Sequence, residues 1–286
     1  MNANLSLLID SWELFRDPVL VGAAAGLVLG YLGVFVVMRR MVFVAAALSQ
    51  SAGLGVALAF YSEIHLGATG WLAAPRAWAL GLALATAAVL RWDGGTIISR
   101  EGLLALVYLL GGAGALLVGT RITQEAHDVQ AILFGTGVLV GADDVQWVLG
   151  AGTVALVLQL WWRRGFLFAS LDPEGAQVRG LPVALLDVVL LATIAIFVSI
   201  STRALGALPV FAFSVLPALA ALMSAKSPNV ALVLGATLGL ASGALGYLLA
   251  FFMGFPVGAS QAFVAALFVL LALGVAGLRS VISRPA

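Results

Sequence analysis

The stretch Leu32–Phe60 reads LGVFVVMRRMVFVAAALSQSAGLGVALAF, and its only charges are the adjacent Arg39 and Arg40. One apolar run closes at Arg39 and a second opens just after Arg40. Each is of the length, roughly 17–25 residues, that crosses the hydrocarbon core of a bilayer as a helix. Neither run alternates apolar and polar residues, and nor does Ala231–Leu240, as the strands of a membrane barrel would. The stretch reads as two membrane helices joined by a basic turn.

Composition carries that reading to the whole chain. Of 286 residues 63% are hydrophobic and 9% charged, with a mean hydropathy of +1.13. Soluble domains carry about 25% charged residues, so a cytosolic enzyme, a nucleic-acid binder and a disordered chain are excluded. Net charge is +1 without a basic block, so no nucleic-acid partner is expected. Cysteine is absent, which removes disulfides and thiolate metal sites. The first residues, MNANLSLLIDSWELFRD, hold Asp10, Glu13 and Asp17 and lack a basic start, so they are not expected to form a signal peptide.

Apolar runs bounded by charges place spans near 18–38, 43–61, 71–90, 102–119, 145–162, 182–201, 208–224, 229–249 and 259–278. The run at 208–224 contains Pro209 and Pro217 and could be broken, which leaves eight or nine spans open. The expected fold is an all-α polytopic membrane helix bundle, one transmembrane domain over residues 1–286. Loops holding Arg39, Arg40, Arg91, Arg100, Arg163, Arg164, Arg179, Lys226, Arg279 and Arg284 face loops holding Arg16, Arg76, Arg121 and Arg203. The positive-inside rule puts the first set in the cytoplasm, the N-terminus outside and, with nine spans, the C-terminus inside. Trp12, Trp71, Trp78, Trp92, Trp147, Trp161 and Trp162 fall near span ends, as an interfacial belt does.

Glycine recurs every four residues at Gly22, Gly26 and Gly30, and again at Gly235, Gly239 and Gly243. That spacing lines each set along one helix face, where another backbone can come close. GAAAGLVLGYLG from Gly22 also resembles GATLGLASGALG from Gly235, and the two would run in opposite directions as inverted repeats do; chance similarity in a Gly-Ala-Leu-rich chain is the expected explanation.

Catalysis within a bilayer needs facing ionisable groups. The spans offer Asp187, about five residues inside; Glu101 sits at an edge, and His65 and His127 lie in loops. There is no His-Glu-x-x-His, no plausible Ser-His-Asp set, no pair of carboxylates inside the membrane and no Gly-rich phosphate loop with its Lys. The chain is expected to be neither an enzyme nor an ATPase, to need no cofactor, and to lack a proton relay. A passive pathway driven by another subunit remains, as does a membrane scaffold.

Five segments then show a resemblance, in order along the chain: Leu32–Phe60, VQAILFGTGVLVGADDV (129–145), DPEGAQVRGLPVALLDVVLL, LGALPVFAFSVLPALAALMSA and GFPVGASQAFVAALFVLLAL. Together they resemble the permease subunits of zinc/manganese-type ABC importers. The resemblance implies a type II importer-like fold in a bacterial inner membrane. It also implies a homodimer or paired permease, a cytoplasmic ABC ATPase and an extracytoplasmic metal-binding protein. Asp172-Pro173-Glu174-Gly175-Ala176-Gln177-Val178-Arg179-Gly180-Leu181-Pro182 matches the family's coupling segment. Its residues suit a short helix: Asp172 to cap, Pro173 in the first turn, Glu174 at the N-terminal dipole and Gly180 to stop it. An ordinary interfacial helix would look the same.

Cargo is where the match departs. The family carries an Asp and, four residues on, a His in the second helix, a pair suited to zinc or manganese. Here Ala46 and Gln50 hold those places, and Thr136 stands where some relatives have an acid. Three readings stay open: a divalent metal on a weaker path of Ser49, Gln50 and Ser51; a neutral or chelated cargo; or a scaffold that has lost transport. Ser and Gln also serve as interhelical hydrogen-bond glue. Ser214, between Pro209 and Pro217, offers a second stretch of pathway wall. His65 with Glu63, and His127 with Glu125 and Asp128, are weak metal candidates on the outer face. Asp187 is expected to pair with Arg179 or Arg40.

Overall fold

The computed structural model describes residues 12–90, 99–122 and 140–282. Eleven helices follow one another among them: α1 Trp12–Met38, α2 Val42–Leu66, α3 Pro75–Val89, α4 Arg100–Ile122, α5 Ala142–Trp161, α6 Arg163–Leu171, α7 Pro173–Val178, α8 Val183–Leu205, α9 Ala207–Ser224, α10 Pro228–Met253 and α11 Val257–Ile282. Eight are long and apolar enough to cross a membrane.

The ninth expected span, 71–90, is a 3-10 turn at Gly70–Ala73 followed by the fifteen-residue α3. Direction settles its part in the topology. A Cβ on Gly55 would meet Ala79, and Thr86 bonds Ser51, so α3 runs antiparallel to α2. Gly111 lies on Gln50 and Gly114 on Leu54, so α4 runs parallel to α2. The short helix therefore returns the chain from one end of the bundle to the other.

Two ionic contacts define those ends. Arg39, at the close of α1, bonds Asp187 near the start of α8, and its Nε donates to Ser170 Oγ of α6 at 2.7 Å. This corrects the expected partner of Asp187. Arg40 is instead the turn residue, at φ 57°, and Arg179 stacks its guanidinium 5.2 Å from the centre of the Phe168 ring. At the opposite end Arg203 and Arg76 converge on Asp144.

The two glycine sets meet each other. Gly22 faces Gly243, Gly26 faces Gly239 and Gly30 faces Gly235, so α1 and α10 cross antiparallel with backbone on backbone. A methyl on Gly26 would sit 2.7 Å from the carbonyl carbon of Gly239, and one on Gly239 just as close to that of Gly26. Only glycine allows that approach. Their likeness thus has a packing cause, since each set is the other's complement.

α9 is one helix despite its prolines. Pro209 falls in its first turn, where a missing N–H is harmless, and Pro217 leaves the carbonyl of Phe213 without its usual donor. The break lies one residue earlier, at Gly206, between α8 and α9. The core is aliphatic and aromatic, with Phe35, Phe166, Phe197 and Phe213 wholly buried among α1, α6, α8 and α9.

Candidate translocation wall and coupling segment

α2 is the helix that carries the sequence-predicted wall. Ala46 is buried. Ser49 is buried and donates to the carbonyl of Ala46 at 2.9 Å. Ser51 is buried too, and its Oγ accepts from Thr86 of α3 at 2.8 Å, an interhelical bond. Ser214 donates within α9 to the carbonyl of Val210 at 2.8 Å, while its own carbonyl backs Gly33 of α1. Gln50 differs. Its Oε1 is buried without a hydrogen-bond partner, beside Gly111 and Gly112 of α4. An unmet amide oxygen in an apolar bundle carries a desolvation cost of about 1–3 kcal/mol, so it is the polar atom on this helix with a reason to meet cargo or water.

At the Arg39 end, the short helices α6 and α7 pack on each other and on the start of α8. The Asp172 carboxylate accepts from the Gly175 N–H at 2.9 Å, capping α7, and Pro173 opens the helix. Glu174 is exposed in the first turn. The end is a Schellman motif: Gly180 N donates to the Gln177 carbonyl at 2.9 Å and Leu181 N to that of Ala176 at 3.0 Å. Gly180 supplies the required left-handed turn at φ 77°. Ala176 anchors the helix inward, fully buried, while Val178 is 88% exposed. A six-residue helix held at both caps and tipped by a bare valine is a rigid knob.

His65 stacks on Tyr61, ring centres 4.5 Å apart and nearly parallel, close to exposed Glu63. Among the described residues no three His, Asp or Glu side chains converge as metal ligands. His127, Asp128, Glu125, Thr136 and the 129–139 segment lie outside the described residues, as do Arg91, Trp92 and Arg284.

One site escaped the sequence reading. Asp144, nearly buried at the start of α5, accepts from Arg76 of α3 at 2.9 Å and from Arg203 of α8, and its second oxygen takes the Gly141 N–H at 3.4 Å. Asp143 also contacts Arg76, whose guanidinium lies 5.3 Å from the centre of the Trp147 ring. The signal was the Asp-Asp pair opening an apolar run opposite two arginines each assigned to the same end.

The described residues thus form a multi-pass helix bundle, with eight helices long and apolar enough to cross a membrane. The profile of the ABC 3 transport family matches residues 11–276, and the chain belongs to that family. It is 24% identical to the manganese import system permease protein ScaB of Streptococcus parasanguinis, over 94% of this chain and 92% of that protein. It is 27% identical to the high-affinity zinc uptake system membrane protein ZnuB of Haemophilus influenzae, over 76% and 80% of the two chains. The solved structure of PsaBC from Streptococcus pneumoniae in complex with Fab superposes with a TM-score of 0.81, 23% identity and 95% of both chains covered.

Proposed function

We propose that this chain is the membrane-spanning subunit of a bacterial inner-membrane importer for divalent metal ions, zinc or manganese. The observation that carries the reading is the family match along nearly the whole chain, with permeases named for manganese and zinc among its relatives. A separate cytoplasmic ABC ATPase supplies the energy, and an extracytoplasmic binding protein supplies the cargo. The permease itself pairs as a homodimer or with a second permease.

The Arg39 end, with Arg100, Arg163, Arg164, Arg179 and Lys226, faces the cytoplasm by the positive-inside rule. That sets the N-terminus outside and the C-terminus inside. Asp172, Glu174, Gly175, Arg179 and Gly180 belong to the knob that meets the ATPase. Nucleotide-driven motion there tilts α8 and α6 and switches the pathway between outward and inward access. Ser49, Gln50 and Ser51 on α2, with Ser214 on α9, supply the wall. Gln50 contributes the only unmet oxygen of the four, so cargo is held weakly and passes.

A second reading is favoured by Ala46 and Gln50 themselves. A wall without a carboxylate or imidazole suits a chelated metal, and a relative 25% identical over 96% of this chain is named a chelated iron transport system membrane protein. Proteoliposomes holding the chain with its ATPase and binding protein distinguish the two. Uptake of free radiolabelled zinc or manganese with ATP supports the first reading. Uptake confined to the chelated metal transfers the assignment to the second.

A further inference from the structure

On the outer face of the bundle a groove runs down α5, walled on its far side by α8 at its two ends and formed along α5 alone in the middle. Three cavities of about 640, 410 and 550 Å³ succeed one another down α5. The first two share Val154 and Leu158, and the last two share Trp161 and Trp162. The wall is apolar and open to the surroundings: Val154, Val157 and Trp161 are each more than half exposed. The last cavity, at the Arg39 end, is also lined by Arg163 and Arg164. Both are exposed, and neither has an ion-pair partner among the described residues.

We infer that this groove binds an anionic phospholipid of the leaflet at the Arg39 end, its acyl chain along Thr153–Trp162 and its phosphate at Arg163 and Arg164. Lengths agree. Ten residues of helix from Thr153 to Arg163 rise about 15 Å, half of the ~30 Å hydrocarbon core and so one leaflet. Trp161 and Trp162 then sit at headgroup depth, where indoles collect, and basic pockets between membrane helices select anionic headgroups. Charge also disfavours a second copy of the chain. Copies related by a two-fold axis along the membrane normal meet at equal depth, which would set one arginine pair against the other.

The test uses the full-length protein in nanodiscs of phosphatidylglycerol and phosphatidylcholine, with retained lipids counted by native mass spectrometry. Phosphatidylglycerol is expected to be retained preferentially. Each of R163Q and R164Q should lower the preference about 5-fold, and the double variant about 30-fold. Val157→Trp keeps both charges and adds its ring in open space, so the fold should persist while all lipid retention in the groove falls. It also separates a lipid from free phosphate, whose binding at the arginines it would leave intact. Equal retention of the two lipids, or a preference untouched by the double variant, overturns the inference. So does a Val157→Trp variant that splits the oligomer without losing lipid, since a second copy would then be the occupant.

Discussion

Replacing Gly239 by alanine tests the α1–α10 seam at its tightest point. The added methyl would lie 2.7 Å from the carbonyl carbon of Gly26, whereas ordinary contact begins at 3.4 Å. The neighbour is backbone and cannot rotate aside, and the Gly26 carbonyl oxygen lies nearer still, so the helices must part by more than about 0.7 Å, a gap that forfeits at least a quarter to a half of each dispersion contact along the seam. Overpacking of this kind costs about 1–3 kcal/mol, and better helix propensity returns up to about 1 kcal/mol. A net loss of about 1–2 kcal/mol is expected. Gly26→Ala should cost the same, because its methyl meets Gly239 at the same distance. The double variant should lose far less than twice as much, since one separation relieves both clashes. Gly274→Ala on α11, with nothing within 4 Å, is the control for helix propensity alone and should be as stable as the parent or up to about 1 kcal/mol more so. Reversible unfolding in bicelles reads all four. Single variants as stable as the control, or strictly additive losses in the double, would refute the seam.

Three other outcomes are expected. Asp144→Asn strands Arg76 and Arg203 around a neutral amide; since both arginines are about a quarter exposed, the loss should be about 1–3 kcal/mol rather than the full cost of breaking a buried pair, and an unchanged thermal unfolding midpoint would remove the cluster's structural role. Gly180→Asp places a side chain at φ 77° and should cost about 1 kcal/mol locally, abolishing ATP-driven uptake while membrane insertion and folding of the spans persist; normal uptake would dismiss the coupling role. Ala46→Asp with Gln50→His places two ligands one turn apart on α2, so zinc should raise the thermal midpoint of the double variant and leave the wild type nearly unmoved; equal protection of the wild type would mean a good metal site exists elsewhere.

Membrane helices were legible because apolar length and charge boundaries act through the solvent alone: of the eight or nine expected spans, eight are helices long enough to cross among the described residues, and 71–90 is the shorter α3. Partnership was not. The spacing of Gly22, Gly26 and Gly30 marks a face, but nothing local says that Gly243, Gly239 and Gly235 cover it. Arg179 and Arg40 were the expected partners of Asp187, and only tertiary placement selects Arg39, 148 residues away. Asp144 hid at the edge of a span, where a carboxylate is ordinarily solvated; its partners lie 68 and 59 residues away. The caps of α7 were readable from Asp172, Pro173 and Gly180 because capping is settled within six residues. The wall was read from residue type, and type cannot tell the bonded hydroxyls of Ser49 and Ser51 from the unmet oxygen of Gln50.

The most direct measurement is the zinc and manganese content of cells that carry the gene, lack it, or carry only the Gly180→Asp allele, grown under limitation of each metal in turn. Importer function requires that loss of the gene lower one of the two metals under its own limitation, and that the wild-type allele restore it while Gly180→Asp does not. Metal contents that are identical in all three strains under both limitations would contradict a divalent-metal permease.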